Sequence, residues 1–188
     1  DHRLGAFDYE ASEKELAFNW DMGDGVSFNF KCFIDRIDFV EGKLRIVDYK
    51  TGSDDVQISK PDDFEDLFAP DSNGAHKKAL LQLLLYCNAY ATHEHYADDI
   101  TPVIYKFRDV DKCLNGKYDI QQSYLNGKSI RYKPVDGYLN DLKNDKFLER
   151  IRKVIRDIFD RDVPFVQTEH KNRCLYCQFN KICSRSED

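Results

Sequence analysis

The order of elements along the chain predicts one α/β (α+β) domain. Three observations carry this: strand-like runs joined by short turns between residues 16 and 50, a long apolar helix after them, and a further strand, hairpin and amphipathic helix that follow. Residues 16–20 read as a short strand, and Gly23-Asp24-Gly25 as the turn after it. Residues 27–40 alternate as a longer strand, Glu41-Gly42 turns the chain, and residues 43–50 form the next strand. Short turns between successive strands make these three an antiparallel meander. Residues 51–73, rich in Asp, Ser and Pro, read as a long loop with one turn of helix at 64–68. Residues 75–93 form a helix whose middle, Ala79-Leu80-Leu81-Gln82-Leu83-Leu84-Leu85-Tyr86, is apolar nearly all round and is therefore buried. Residues 101–107 form another strand, and 118–132 a hairpin turning at Asn126-Gly127. The last helix spans 137–160, with Phe147, Ile151, Val154, Ile155 and Ile158 at helical spacing and Arg150, Arg152, Lys153 and Arg156 on other faces. No internal repeat or low-complexity segment interrupts this order.

The chain's 188 residues suffice for one compact core, and 41% hydrophobic with 33% charged residues is ordinary for a soluble globular protein. No apolar run approaches the ~18 residues of a membrane span, so a membrane is excluded as partner and a cytoplasmic location is expected. The start, Asp1-His2-Arg3-Leu4-Gly5, lacks Met and any signal-peptide pattern, and reads as that of a piece cut from a longer protein. A net charge of −6 argues against sequence-independent nucleic-acid binding by charge alone, although a local basic track or another domain could supply the grip. Without a secretion signal, disulfides are not expected among Cys32, Cys87, Cys113, Cys174, Cys177 and Cys183. The first three are scattered and read as buried free thiols.

Two strands carry acids that do not fit their faces. Residues two apart on a strand share a face, so Phe33, Ile37 and Phe39 form an apolar face with Asp35 in its middle. A buried carboxylate needs a partner or a metal. Arg36 and Asp38 fall on the opposite face, where they pair with each other or with solvent. In the next strand Leu44, Ile46, Asp48 and Lys50 share a face that begins apolar and ends as an acid and a base. The tight turn makes these strands neighbours, so Asp35 and Asp48 can approach. Two carboxylates and a backbone carbonyl form a hard oxygen site suited to Mg²⁺ or Mn²⁺, and a lysine two residues on could hold or activate a water. Taken alone, Asp-x-Lys is more simply a structural ion pair. Gln82, among five leucines and four residues before Tyr86, is alone more simply a satisfied core glutamine.

Together, Phe33-Ile34-Asp35-Arg36-Ile37-Asp38, Ile46-Val47-Asp48-Tyr49-Lys50-Thr51-Gly52 and Gln82-Leu83-Leu84-Leu85-Tyr86 resemble the RecB-like branch of the PD-(D/E)XK nucleases in order and separation. The resemblance implies a restriction-endonuclease-like core: a mixed central sheet flanked by helices. It implies that Asp35, Asp48 and the Tyr49 carbonyl bind the metal and that Lys50 positions the attacking water. Gln82 and Tyr86 would orient Lys50 or contact DNA. The chemistry would be phosphodiester hydrolysis.

The tail, Cys174-x2-Cys177-x5-Cys183, has spacing that suits a metal or cluster, with zinc the generic choice. It is similar to the iron–sulfur staple of AddB-type helicase–nuclease subunits and of CRISPR-associated spacer-acquisition nucleases, where a fourth cysteine lies far upstream. The resemblance therefore implies a [4Fe-4S] cluster in a full-length protein and an empty tail, residues 174–188, in this piece of 188 residues. Three free thiols are the alternative. Two departures stand out. Cys32 occupies the place where the family usually has Gly, and none of His2, Glu10, Glu13 or Glu15 matches the family's upstream helix residue, so the isolated piece is expected to bind metal weakly and to cut DNA poorly or not at all.

Three functions compete. One is the nuclease module of an AddB/RecB-like repair helicase–nuclease, with DNA, a helicase region of the same protein and a second subunit as partners. Another is a stand-alone spacer-acquisition nuclease. The third is a degenerate module that binds DNA or serves structure, against which intact Asp35, Asp48, Lys50 and Gln82 count.

Overall fold

The computed structural model describes residues 6–52, 56–59, 64–69, 77–107, 120–135, 137 and 144–185. The first strand, β1 (Phe7–Asp21), is far longer than the expected 16–20. Its first half is mostly exposed and polar, so no apolar alternation marks it. Pairing with β2 (Ser27–Val40) makes it a strand, in an antiparallel register running from Phe7↔Val40 to Asp21↔Ser27 with an irregularity between Tyr9 and Ala11. The expected Gly23-Asp24-Gly25 turn joins them, all three residues lying at positive φ.

β3 (Lys43–Lys50) returns along β2 through a two-residue turn closed by the pair Val40↔Lys43. Both turn residues, Glu41 (φ 52) and Gly42 (φ 75), lie in the left-handed region, as a type I′ hairpin requires. Glu is poorly suited there, whereas Asn tolerates that conformation. Glu41→Asn is therefore expected to stabilise the fold by about 0.5–1 kcal/mol, read as a higher urea midpoint with an unchanged slope.

After β3 the chain forms the two-residue strand β4 (Gln57–Ile58) and the single-turn helix α1 (Glu65–Phe68). It then forms α2 (Lys78–His93) and β5 (Ile100–Lys106). β5 pairs with β3 in parallel, from Leu44↔Ile100 to Lys50↔Lys106, and α2 is the crossover between them. The sheet order is β1-β2-β3-β5: three antiparallel strands and one parallel, the mixed sheet that the motifs implied. β3 lies inside it and is buried on both faces from Leu44 to Asp48. α2 buries Leu80, Leu83, Leu84 and Cys87 against the sheet, whereas Leu81, Gln82, Leu85 and Tyr86 are half-buried, so its middle is less fully covered than expected.

β6 (Gln121–Asn126) and β7 (Ser129–Pro134) form the expected hairpin and join β4 in a separate three-stranded sheet. The turn sits one residue later than expected. The closing pair is Asn126↔Ser129, and Gly127 (φ 63) takes the first central position. The hairpin's expected start at 118–119 lies outside the described residues.

The last helix, α3 (Asn144–Phe159), is shorter in the described residues than the expected 137–160, and 138–143 lie outside them. Of its apolar stripe, Phe147 and Ile151 are buried and Ile155 packs on the core, but Val154 and Ile158 are exposed. Phe147 meets Phe64 and Phe68 at centroid distances of 5.5 and 6.0 Å. Arg152 Nη1 and Arg156 Nη2 donate to the carbonyls of Met22 (3.0 Å) and Asp24 (3.1 Å), so two of the arginines on the other faces anchor α3 to the β1–β2 turn. Among the described residues, no helix is long and apolar enough to cross a membrane.

One expected face is covered at one end only. Phe33 is 46% exposed, with the Lys31 ammonium over its ring, while Ile37, on the same face, is buried. The opposite face, with Cys32, Ile34 and Asp38, is buried along this stretch. Alternation along a strand gives the face that side chains share, but not how far along the strand that face is covered.

Candidate active site

The β2–β3 ladder ends at the pair Arg36↔Val47. One step further in the same register, Asp35 faces Asp48 with no ladder pairing between them. There the Asp35 carboxylate accepts the Tyr49 main-chain N–H at 2.7 Å through Oδ2. No other protein hydrogen bond to Asp35 is found among the described residues. Its second oxygen thus remains open at the splay.

Asp48 is 2% exposed on its strand. The Lys50 ammonium lies 3.0 Å from its Oδ1 and 2.7 Å from its Oδ2. The same ammonium donates to Gln82 Oε1 at 2.9 Å, and Gln82 Nε2 donates to the Tyr86 hydroxyl at 2.5 Å. A continuous polar chain therefore runs Asp48–Lys50–Gln82–Tyr86, from β3 to the neighbouring face of α2. This accounts for a glutamine among leucines: both ends of its amide are engaged, and one partner is the lysine. Burial pushes the Tyr86 phenol above its ordinary value, against the Gln82 bond, which lowers it. The ring therefore stays protonated at neutral pH.

The structure thus brings Asp48, Lys50, Gln82 and Tyr86 into direct contact and sets Asp35 across the splay, joined through the main chain of Tyr49. The donor chemistry fits a hard divalent cation: two facing carboxylates, with the Tyr49 carbonyl as the third oxygen on the same short stretch. Among the described residues no three His, Cys, Asp or Glu side chains converge to hold a metal. A site at the splay would therefore rest on two side chains and the main chain. Glu10, Glu13 and Glu15 lie on β1, and none occupies a helix.

The tail cysteines do not assemble. Cys174 ends a 3-10 turn (Lys171–Cys174), and Cys177 N–H donates to the Cys174 carbonyl at 3.1 Å. Cys183 carries the carbonyl that Gln167 Nε2 reaches at 3.2 Å. All three thiols are free and half-buried, and among the described residues they do not converge as a metal-holding group. Cys113 lies outside the described residues. Cys32 and Cys87 are buried in the core, as expected. Desolvation pushes the Cys32 thiol up to about 11 and the Cys87 thiol also upward. A thiol reagent at pH 8, read by peptide mass mapping, is expected to label Cys174, Cys177 and Cys183 in the native protein and to label Cys32 and Cys87 only after unfolding.

Sequence reasoning missed one constellation. Asp38 is not on a solvent face: it is fully buried. Arg45 grips it with two bonds, Nε to Oδ1 at 2.7 Å and Nη2 to Oδ2 at 2.9 Å, and Arg36 Nη2 lies 2.5 Å from Oδ2. The expected Arg36–Asp38 pairing exists, but inside the protein and with a second arginine. The signal was available, because the Glu41-Gly42 turn that sets Asp35 opposite Asp48 also sets Asp38 opposite Arg45.

Known proteins point the same way. The chain is similar to a subunit of the ATP-dependent helicase/deoxyribonuclease of Clostridium perfringens strain SM101, 29% identical over 150 residues. The match covers 71% of this chain but 12% of that protein. The corresponding subunits of strains ATCC 13124 and 13 match at the same identity and coverage. No solved structure matches. The family profile of the PD-(D/E)XK nuclease superfamily matches residues 1–184, which takes in both acid-bearing strands, the lysine and the Gln82–Tyr86 helix. By that match over nearly its whole length, the chain belongs to the PD-(D/E)XK nuclease superfamily.

Proposed function

We propose that the protein is a metal-dependent deoxyribonuclease domain that hydrolyses phosphodiester bonds as part of a helicase–nuclease acting in double-strand-break repair and recombination. The observation that carries the reading is the placement of Lys50. Its ammonium is held by Asp48 on one side and Gln82 on the other, beside the splay where Asp35 faces Asp48. Asp35, Asp48 and the Tyr49 carbonyl would hold Mg²⁺ or Mn²⁺. When bound, the ion stabilises the charge that develops on the phosphate. Lys50 donates to the attacking water and orients it toward phosphorus. Gln82 restricts the flexible lysine stem to one position, and Tyr86 holds the amide of Gln82 in turn. The similarity to a helicase/deoxyribonuclease supports DNA as substrate, with a helicase region and a second subunit as partners.

The test is direct. The complete protein that carries this domain is incubated with linear double- and single-stranded DNA in Mg²⁺, in Mn²⁺ and in EDTA. Cleavage in either metal and none in EDTA is expected. Cleavage that persists in EDTA, or DNA left intact in both metals, would end the proposal.

A further inference from the structure

We propose that Arg36 is a positioning residue for the metal site, acting through the Tyr49 hydroxyl. The proposal rests on the metal-dependent reading above. The β2–β3 ladder stops at Arg36↔Val47, so nothing in the ladder fixes Tyr49 to β2. Two side chains take its place, and they are neighbours in sequence. On one face, Asp35 Oδ2 accepts the Tyr49 main-chain N–H at 2.7 Å. On the other, Arg36 Nη1 donates to the Tyr49 hydroxyl at 3.3 Å. β2 thus grips one residue of β3 from both sides of the sheet.

The rest of the arrangement makes Arg36 a firm anchor. Its guanidinium lies 4.4 Å from the centroid of the Phe7 ring and 2.5 Å from Asp38, whose other contacts come from Arg45. The Tyr49 ring is stacked on Phe107 at 5.4 Å with 26° between planes, so it cannot swing away from Arg36 without losing that contact. Fixing the ring and the N–H together fixes the orientation of the Tyr49 residue, and with it the direction of the carbonyl offered to the metal. Outer partners of this kind typically change metal affinity about 10–100-fold when removed.

The test is Mn²⁺ binding by calorimetry, with thermal melting alongside. Tyr49→Phe keeps the ring on Phe107 and the N–H on Asp35 and removes only the hydroxyl. It is expected to weaken Mn²⁺ binding about tenfold with little change in melting temperature. Arg36→Met should weaken binding similarly, and the double variant no more than Arg36→Met alone, because both remove the same contact. Arg36→Lys, which retains a donor, should restore part of the affinity. If Arg36→Met does not fold, Tyr49→Phe decides the matter. Wild-type binding by Tyr49→Phe, or additive losses in the double variant, overturns the positioning role while loss of binding in Asp48→Ala keeps the metal reading. Wild-type binding by Asp48→Ala as well would remove both.

Discussion

Lys50→Ala is expected to lower DNA cleavage about 10²–10⁴-fold, the usual scale for losing a group that manages a proton or charge in the reaction. Asp48 is buried and has the Lys50 ammonium within 3.0 Å of both carboxylate oxygens, so the variant also removes that cation from a buried acid. A lower melting temperature should accompany the loss, and rates must be compared well below it. The discriminating comparison is Gln82→Leu. This change leaves Lys50 and Asp48 together and removes only the brace from α2, so it should cost about 10–100-fold. Tyr86→Phe, one link further out, should cost less again. A graded series along Lys50, Gln82 and Tyr86 is the signature of one polar chain ending at the reacting water. Lys50→Ala at wild-type activity in Mg²⁺ and Mn²⁺ would show that the lysine serves only the ion pair.

Asp38→Ala should chiefly cost stability, by about 3–5 kcal/mol, because it strips the Arg36 and Arg45 guanidinium groups of the carboxylate between them, and its effect on metal binding should not exceed that of Arg36→Met. Against a typical total of about 5–15 kcal/mol, that is enough to unfold much of the population under mild denaturant. Urea titration should show the midpoint falling by a large fraction. Asp35→Ala, which removes a half-buried carboxylate holding one main-chain N–H, should cost no more than about 1.5 kcal/mol while abolishing metal-dependent cleavage. The two aspartates of Asp35-Arg36-Ile37-Asp38 thereby separate into a chemical acid and a structural one. Equal stability losses for the two would contradict that division.

Much of this was legible in the residues. The Glu41-Gly42 turn fixes the register of β2 against β3, and that register alone puts Asp35 opposite Asp48. Gln82 was visible as a polar intruder on an apolar helix, and its four-residue spacing to Tyr86 puts both on the face where they bond. Two features were not legible, each for a physical reason, and a third was legible but missed. β1 owes its length to hydrogen bonding with β2 rather than to burial, so its polar first half has no pattern to read. The exposure of Phe33 depends on how far the covering elements reach along β2, which alternation does not report. Asp38 looked like a solvent-face acid because its burial depends on Arg45 arriving from the next strand, which the same turn register would have disclosed.

The splay between β2 and β3 also orders events in time. Closing a hairpin over a two-residue turn takes roughly 1–10 μs and needs no other part of the chain. Gln82 reaches Lys50 only after the long stretch between β3 and α2 has been closed, and the β3–β5 parallel pairing spans a still larger separation in sequence. The two like-charged acids are thus brought together by a hairpin that closes locally. The brace on the lysine that shields one of them comes from 32 residues further along the chain.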